Sequence, residues 1–242
     1  MSANLVTALF DAYGGLARWQ QCQRIDCRIS ADGAAFLLKG QRGVLLDKQA
    51  SIFPHQRRVR FSHFGGTGLV GEWAGDRVSL MAASGEVLET RDQARAWLTR
   101  SDRPFLWDRL DMLYFCGYAL WNYLSFPFLL GLPEVAVGTQ PEADGTVLDV
   151  GFPSGLPTHS MHQRFHLDAD LQLRRHDYTA DVIGHWAKAA NFCLASTVVD
   201  GLRFHTRRRV LPQMGPLVMP WPVLVLIEID ELQPCFAQID GI

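Results

Sequence analysis

The chain has 242 residues, 48% hydrophobic and 20% charged, with 23 basic side chains against 25 acidic ones. That length allows a sizeable core, the hydrophobic share excludes a disordered tail or a fibre, and the near-neutral balance offers no basic field for nucleic acid. Fourteen Phe, seven Trp and five Tyr supply aromatic surface, either for a well-filled core or for an apolar cavity wall.

In the opening stretch, MSANLVTALFDAYGG, polar residues interrupt every apolar run and no basic segment leads into one, so no secretory signal is read. Cys22, Cys27, Cys116, Cys193 and Cys235 are odd in number and scattered without CxxC spacing. They fit buried reduced thiols, and both features point to a cytoplasmic location. Over residues 3–20, Leu5, Val6, Leu9, Phe10, Tyr13 and Leu16 recur at helical spacing, loosened at Gly14–Gly15. The period then changes to two. Ile25, Cys27 and Ile29 alternate with Arg24, Asp26 and Arg28, and similar alternation in 44–53, 57–64, 77–82 and 86–90 predicts an antiparallel meander with Gly and Asp turns.

After Asp92 the pattern becomes helical, through the short DQARAWL segment and then from about Trp107 to Phe128. Strand signals resume at 134–139, 146–152, 159–168, 171–179, 191–199, 203–210 and 223–229. No βαβ alternation occurs, which argues against a parallel nucleotide-binding sheet. The expected fold class is α+β, a single domain over 1–242 in which a strongly curved antiparallel β-sheet, a half-barrel, encloses an apolar helix. Met112 to Pro133 carries no charge and approaches the length of a membrane span. Asp108, Asp111, Asn122, Pro127 and Glu134, with no second such segment, make it a core helix without stable membrane insertion.

The order of elements resembles the half-β-barrel of the LolA/LolB-like lipoprotein carriers. The strings AYGGLARW, WDRLDMLYFCGYALWNYL, PTHSMHQRF and LRRHDYTADVIG are similar to those of a group of uncharacterised bacterial proteins associated with that fold. Such carriers hold acyl chains between a curved sheet and helices. The resemblance therefore implies an apolar ligand cavity, while the missing export signal departs from the carriers and puts their trafficking role in doubt.

Three motifs dissolve on inspection. Gly66-Thr67-Gly68-Leu69-Val70-Gly71 fits GxGxxG, but Gly75–Asp76 follows where the fingerprint needs a helix, so it reads as a glycine-rich hairpin. His159, His162 and His166 would share one helix face, yet the segment alternates as a strand, where His162 and His166 lie roughly 13 Å apart, too far to share one metal ion. No metal or cofactor is expected. Gly151-Phe152-Pro153-Ser154-Gly155 lacks the glycine spacing of a hydrolase elbow.

Polar residues in step with apolar strand neighbours carry more information, because a group on a core face must be paired, hydrated or functional. His63 keeps step with Val59 and Phe61, His159 and Gln163 with Met161, Phe165 and Leu167, Arg175 and Asp177 with Leu171 and Leu173, and Arg208 with Phe204 and Val210. Asp111, Phe115, Tyr118 and Asn122 form one stripe of the long helix. Together they sketch a polar cluster on a concave wall facing that helix. Buried ion pairs, Arg175 with Asp177 or Arg208 with Asp111, are the plainer explanation.

The function expected is binding of a lipid-like or aromatic hydrophobic small molecule between sheet and helix, oriented by His63, Asp111, Phe115, Tyr118, Asn122, Gln163, Arg175 and Arg208. The alternative is a cyclase, isomerase or hydrolase on a hydrophobic metabolite, with His159 as general base oriented by Asp177. A third possibility is a peripheral protein whose aromatic segment docks outward.

Overall fold

The computed structural model describes residues 2–100 and 106–237. The chain begins with α1 (Ser2–Ala12) and α2 (Leu16–Gln21), then β1 (Cys22–Asp32), α3 (Ala34–Leu38), β2 (Leu45–Phe53), β3 (Arg58–Ser62), β4 (Leu69–Ala74), β5 (Arg77–Ala82) and β6 (Val87–Arg91). Next come α4 (Ala94–Leu98) and the long α5 (Arg109–Ser125). The second run is β7 (Ala136–Glu142), β8 (Gly145–Gly151), β9 (His162–Asp168), β10 (Leu173–Thr179), β11 (Lys188–Val199), β12 (Leu202–Met214), β13 (Leu217–Val218) and β14 (Val225–Phe236).

The expected opening helix is two helices, because Gly14 and Gly15 both adopt positive φ and a side chain on Gly14 would lie 2.0 Å from the Gly201 carbonyl oxygen. Two further elements, α3 and β4, were not legible as regular structure. The glycine-rich run turns directly into β4, a strand rather than the helix a dinucleotide fingerprint needs.

All strands join one antiparallel sheet in the order β6-β5-β4-β3-β2-β1-β14-β12-β11-β10-β9-β8-β7, with β13 against the end of β12. The two meanders are joined by β14, which returns from the end of the chain to pair with β1 on one side and β12 on the other. β6 and β7 end the order unpaired to each other, so the sheet is curved but unclosed. Register shifts between β1 and both its neighbours, and in the β5–β6, β9–β10 and β11–β12 pairs, supply bends that curve long strands.

Helix α5 starts at a capping box. Asp108 accepts from the backbone of Leu110 and Asp111, and the Asp111 carboxylate accepts from the Asp108 backbone at 3.1 Å. Apart from Arg109 and Phe115, every residue of α5 is buried. It packs against β2, β3, β4, β5 and β12, so its uncharged middle is core. Among the described residues no helix is long and apolar enough to cross a membrane.

Candidate functional site

Elements from both halves bring a polar cluster into this core. His159 lies in the loop before β9, not in the strand, and is fully buried. Its Nδ1 is 3.1 Å from the Tyr118 hydroxyl and its Nε2 3.0 Å from the Tyr123 hydroxyl, while the ring stacks on Tyr178 at 3.8 Å. The Tyr123 and Tyr178 hydroxyls meet at 3.1 Å. Asn122 donates to the carbonyls of Tyr118 and Pro157, which ties the loop to the helix.

Gln163 is held by β9. Its amide donates to Ser160 O at 2.7 Å and its oxygen accepts from His176 Nε2 at 2.5 Å. A carbonyl oxygen only accepts, so His176 carries its proton on Nε2. Burial, reinforced by Arg95 and Arg208, pushes the His159 pKa down to about 3. Burial also takes His176 well below the ordinary histidine value. Both rings are neutral near pH 7. Gln163→Leu leaves the His176 N–H without an acceptor and should cost about 1–3 kcal/mol in urea unfolding. A loss below about 0.5 kcal/mol would show that the ring finds another partner.

The structure divides the remaining predicted residues. The β9–β10 pairing shifts register between Leu173 and Arg175, and one added residue turns over every side chain that follows. His176 and Tyr178 therefore face the core, and Arg175 and Asp177 face outward instead of joining the concave wall. Asp177 accepts from Arg175 at 2.6 and 2.5 Å and lies 3.2 Å from His166 Nε2, whose other nitrogen is 3.2 Å from Glu142. Burial raises the Asp177 pKa, but hydrogen bonds from His166 and Arg175 outweigh it and hold the carboxyl below its ordinary value. The expected pairing of His159 with Asp177 does not form: His159 meets Tyr118 and Tyr123, while Asp177 is taken by Arg175 and His166.

His63 is not on the wall either. It is an exposed turn residue with φ 53°, and its Nδ1 accepts from the Gly68 backbone. Asp111 is buried at the start of α5, where it takes Arg91 at 2.6 Å, so its suggested pair with Arg208 is absent. Arg208 does face inward, 1% exposed, with its guanidinium 4.5 Å from the Tyr123 ring. Tyr118, Asn122, Gln163, His159 and Arg208 thus belong to one interior region. The sequence reading missed Tyr123, His176 and Tyr178. The His-x-Tyr alternation of β10 marked the last two, but its parity was assigned from Leu173, across the bulge.

Beside the cluster, a cavity of about 300 Å³ opens between α3, Phe115, the segment 180–187 and the inward faces of β11, β12 and β14. Ile183, Ala189, Val210 and Val225 make its walls. Leu38, Trp186 and Met214 form a rim that is 64%, 76% and 67% exposed. Phe115, Tyr178 and Val225 also border a void of about 40 Å³ that reaches Ala119, Tyr123 and Ile227, so apolar space leads from the surface toward the polar cluster. A larger groove of about 430 Å³ lies across Asp149, His162, Arg164, Asp177 and Lys188. It is open and edged by charged side chains, and its Arg164 already pairs with Asp149 at 3.1 Å. Among the described residues no group of three His, Cys, Asp or Glu side chains is placed to hold a metal ion.

No family model and no curated protein sequence matches the chain. Among solved structures it is similar to the LolA superfamily protein NE2245 from Nitrosomonas europaea, with 7% identity and a TM-score of 0.51 over 97% of this chain and 94% of that one. Weaker matches are a DUF1329 family protein from Desulfovibrio piger (15% identity, TM-score 0.41, 95% and 92% covered) and the Mycobacterium tuberculosis lipoprotein LppX (8%, 0.30, 95% and 95%). The fold assignment rests on the first, and at that identity only the fold carries across. The chain has the LolA-like fold, a curved and unclosed antiparallel sheet.

Proposed function

We propose that this protein binds a lipid-like or aromatic hydrophobic small molecule in an apolar chamber between the curved sheet and α5. The observation that carries the reading is the 300 Å³ cavity, apolar in its walls and open at a rim of exposed Leu38, Trp186 and Met214. Its size falls at the small end of ligand pockets, about 300–1,000 Å³, and its few polar neighbours suit orientation more than chemistry. The LolA-like fold is consistent with a hydrophobic cargo. Acid–base catalysis lacks support here, since a histidine held near 3 and unpaired with a carboxylate is a poor general base at neutral pH.

N-phenyl-1-naphthylamine, a neutral fluorophore that brightens in apolar surroundings, tests the reading. Saturable one-site binding is expected. Ala189→Trp, which fills the cavity wall, should weaken it at least tenfold while the thermal midpoint stays close to wild type. No saturable binding by wild type, or equal binding by a folded Ala189→Trp, refutes the chamber.

A further inference from the structure

The chamber floor runs along two paired strands. On β12 and β14, Val210 lies opposite Val225, and two residues inward on the same face Arg208 lies opposite Ile227. Val210 and Val225 line the open cavity, and Val225, Ile227 and Tyr123 line the inner void. The row of apolar side chains therefore ends, about 7 Å beyond the first rung, in a guanidinium packed against the Tyr123 ring.

That guanidinium is poorly matched. Among the described residues no carboxylate lies within ion-pair distance of Arg208, whereas Arg91 takes Asp108 and Asp111, and Arg175 takes Asp177. Among the described residues its five N–H groups meet only the Cys193 sulfur at 3.2 Å, the Tyr123 carbonyl at 3.4 Å and the face of the Tyr123 ring, and none of them partners its Nε. Sulfur is a weak acceptor and 3.4 Å is a long bond. Nor does a neighbouring side chain supply negative charge. Burial raises the Cys193 thiol despite the nearby arginine and raises the Tyr123 hydroxyl too, so both stay protonated. A buried charge costs far more than a buried amide unless it is paired. A permanently charged fork one ring beyond an apolar void, with Tyr123 bordering both, is what an anionic head group requires.

We propose that Arg208 is a head-group site for the carboxylate of a long-chain acid, whose chain lies over Val210 and Val225 and leaves toward Trp186 and Met214. This rests on the chamber reading above and narrows it from hydrophobic molecules in general to monoanionic amphiphiles. Tyr123, which borders both the inner void and Arg208, is the side chain that must shift or share its contact when the carboxylate arrives.

The test pairs 11-(dansylamino)undecanoate with its uncharged N-methylamide at pH 8. Wild type should bind the carboxylate at least tenfold more tightly. Arg208→Met should bind both probes at the amide's affinity and, without ligand, unfold at a higher temperature, because the unmatched charge is gone. A purely structural Arg208 predicts the reverse: lower thermal stability and an unchanged ratio. A wild-type ratio below threefold overturns the proposal whether or not Arg208→Met folds, and so does a tenfold ratio surviving in that variant. Equal binding of the two dansyl probes beside saturable N-phenyl-1-naphthylamine binding removes the head-group site and keeps the chamber. No saturable binding of any probe removes both.

Discussion

Replacing Gly117 with valine is expected to lower stability by about 3 kcal/mol or more, a cost at the upper end for overpacked cores. A side chain begun at Gly117 would place its first carbon 2.3 Å from Trp73 Cβ and 2.6 Å from Cγ. One helical turn earlier the contact is reversed: a carbon on Gly71 would sit 2.8 Å from Leu113 Cδ1 and 3.0 Å from Phe64. The helix and β4 therefore interlock, with Leu113 over Gly71 and Trp73 over Gly117, and each glycine makes room for the other element's large residue. Trp73 and Leu113 are both fully buried and have no space into which to retreat. Valine must push α5 off β4. Alanine should act in the same direction with a smaller loss, because removing a helical glycine returns about 1 kcal/mol of propensity. A lower urea midpoint at unchanged slope is the readout. Unchanged or increased stability of Gly117→Val would show that α5 does not rest on β4 at this distance.

That interlock also explains what the sequence displayed and what it hid. Alternation in Ile25, Cys27 and Ile29 and its repeats exposed the two meanders, since half-buried antiparallel strands impose a period of two. β4 escaped because Gly66 and Gly68 in the preceding turn make the run read as a glycine-rich loop and Gly71 removes a side chain that would have shown the period, and Gly71 is needed only by a helix about forty residues later. The stripe of α5 was legible for Phe115, Tyr118 and Asn122, but helical spacing could not say that Asp111 stands at the first turn, where capping and Arg91 claim it. In β10 the bulge is a property of the pairing with β9, so faces read outward from Leu173 were inverted at Arg175 and Asp177. His63 kept the parity of β3 one residue past the strand's end. The chamber left no signature: Ala180, Ile183, Ala189, Val210 and Val225 come from separate elements, and their common feature is where the fold places them.

Acidification from pH 7 to pH 5 should lower the protein's stability by about 2 kcal/mol or more. His159 is held at about 3, and burial also keeps His176 and His205 well below the ordinary value. In the unfolded chain each returns to about 6.5 and takes up a proton as the pH falls below that value. The native state does not. Stability is therefore complete above pH 6.5 and declines as the pH drops, levelling for His159 only near 3. His159, held at about 3, costs about 2 kcal/mol by pH 5, and His176 and His205 act in the same direction, against the roughly 5–15 kcal/mol that a whole domain has available. Burial is the first cause for all three rings, with Arg208 contributing to each, so Arg208→Met should unfold at lower pH than wild type. Thermal midpoints at half-unit intervals would reveal the decline, and imidazole NMR signals of the native protein should report a His159 ring that stays neutral throughout. A flat stability profile between pH 7 and pH 5 would mean that water reaches these histidines, and that the interior facing the chamber is not the dry, apolar surround that a hydrophobic ligand requires.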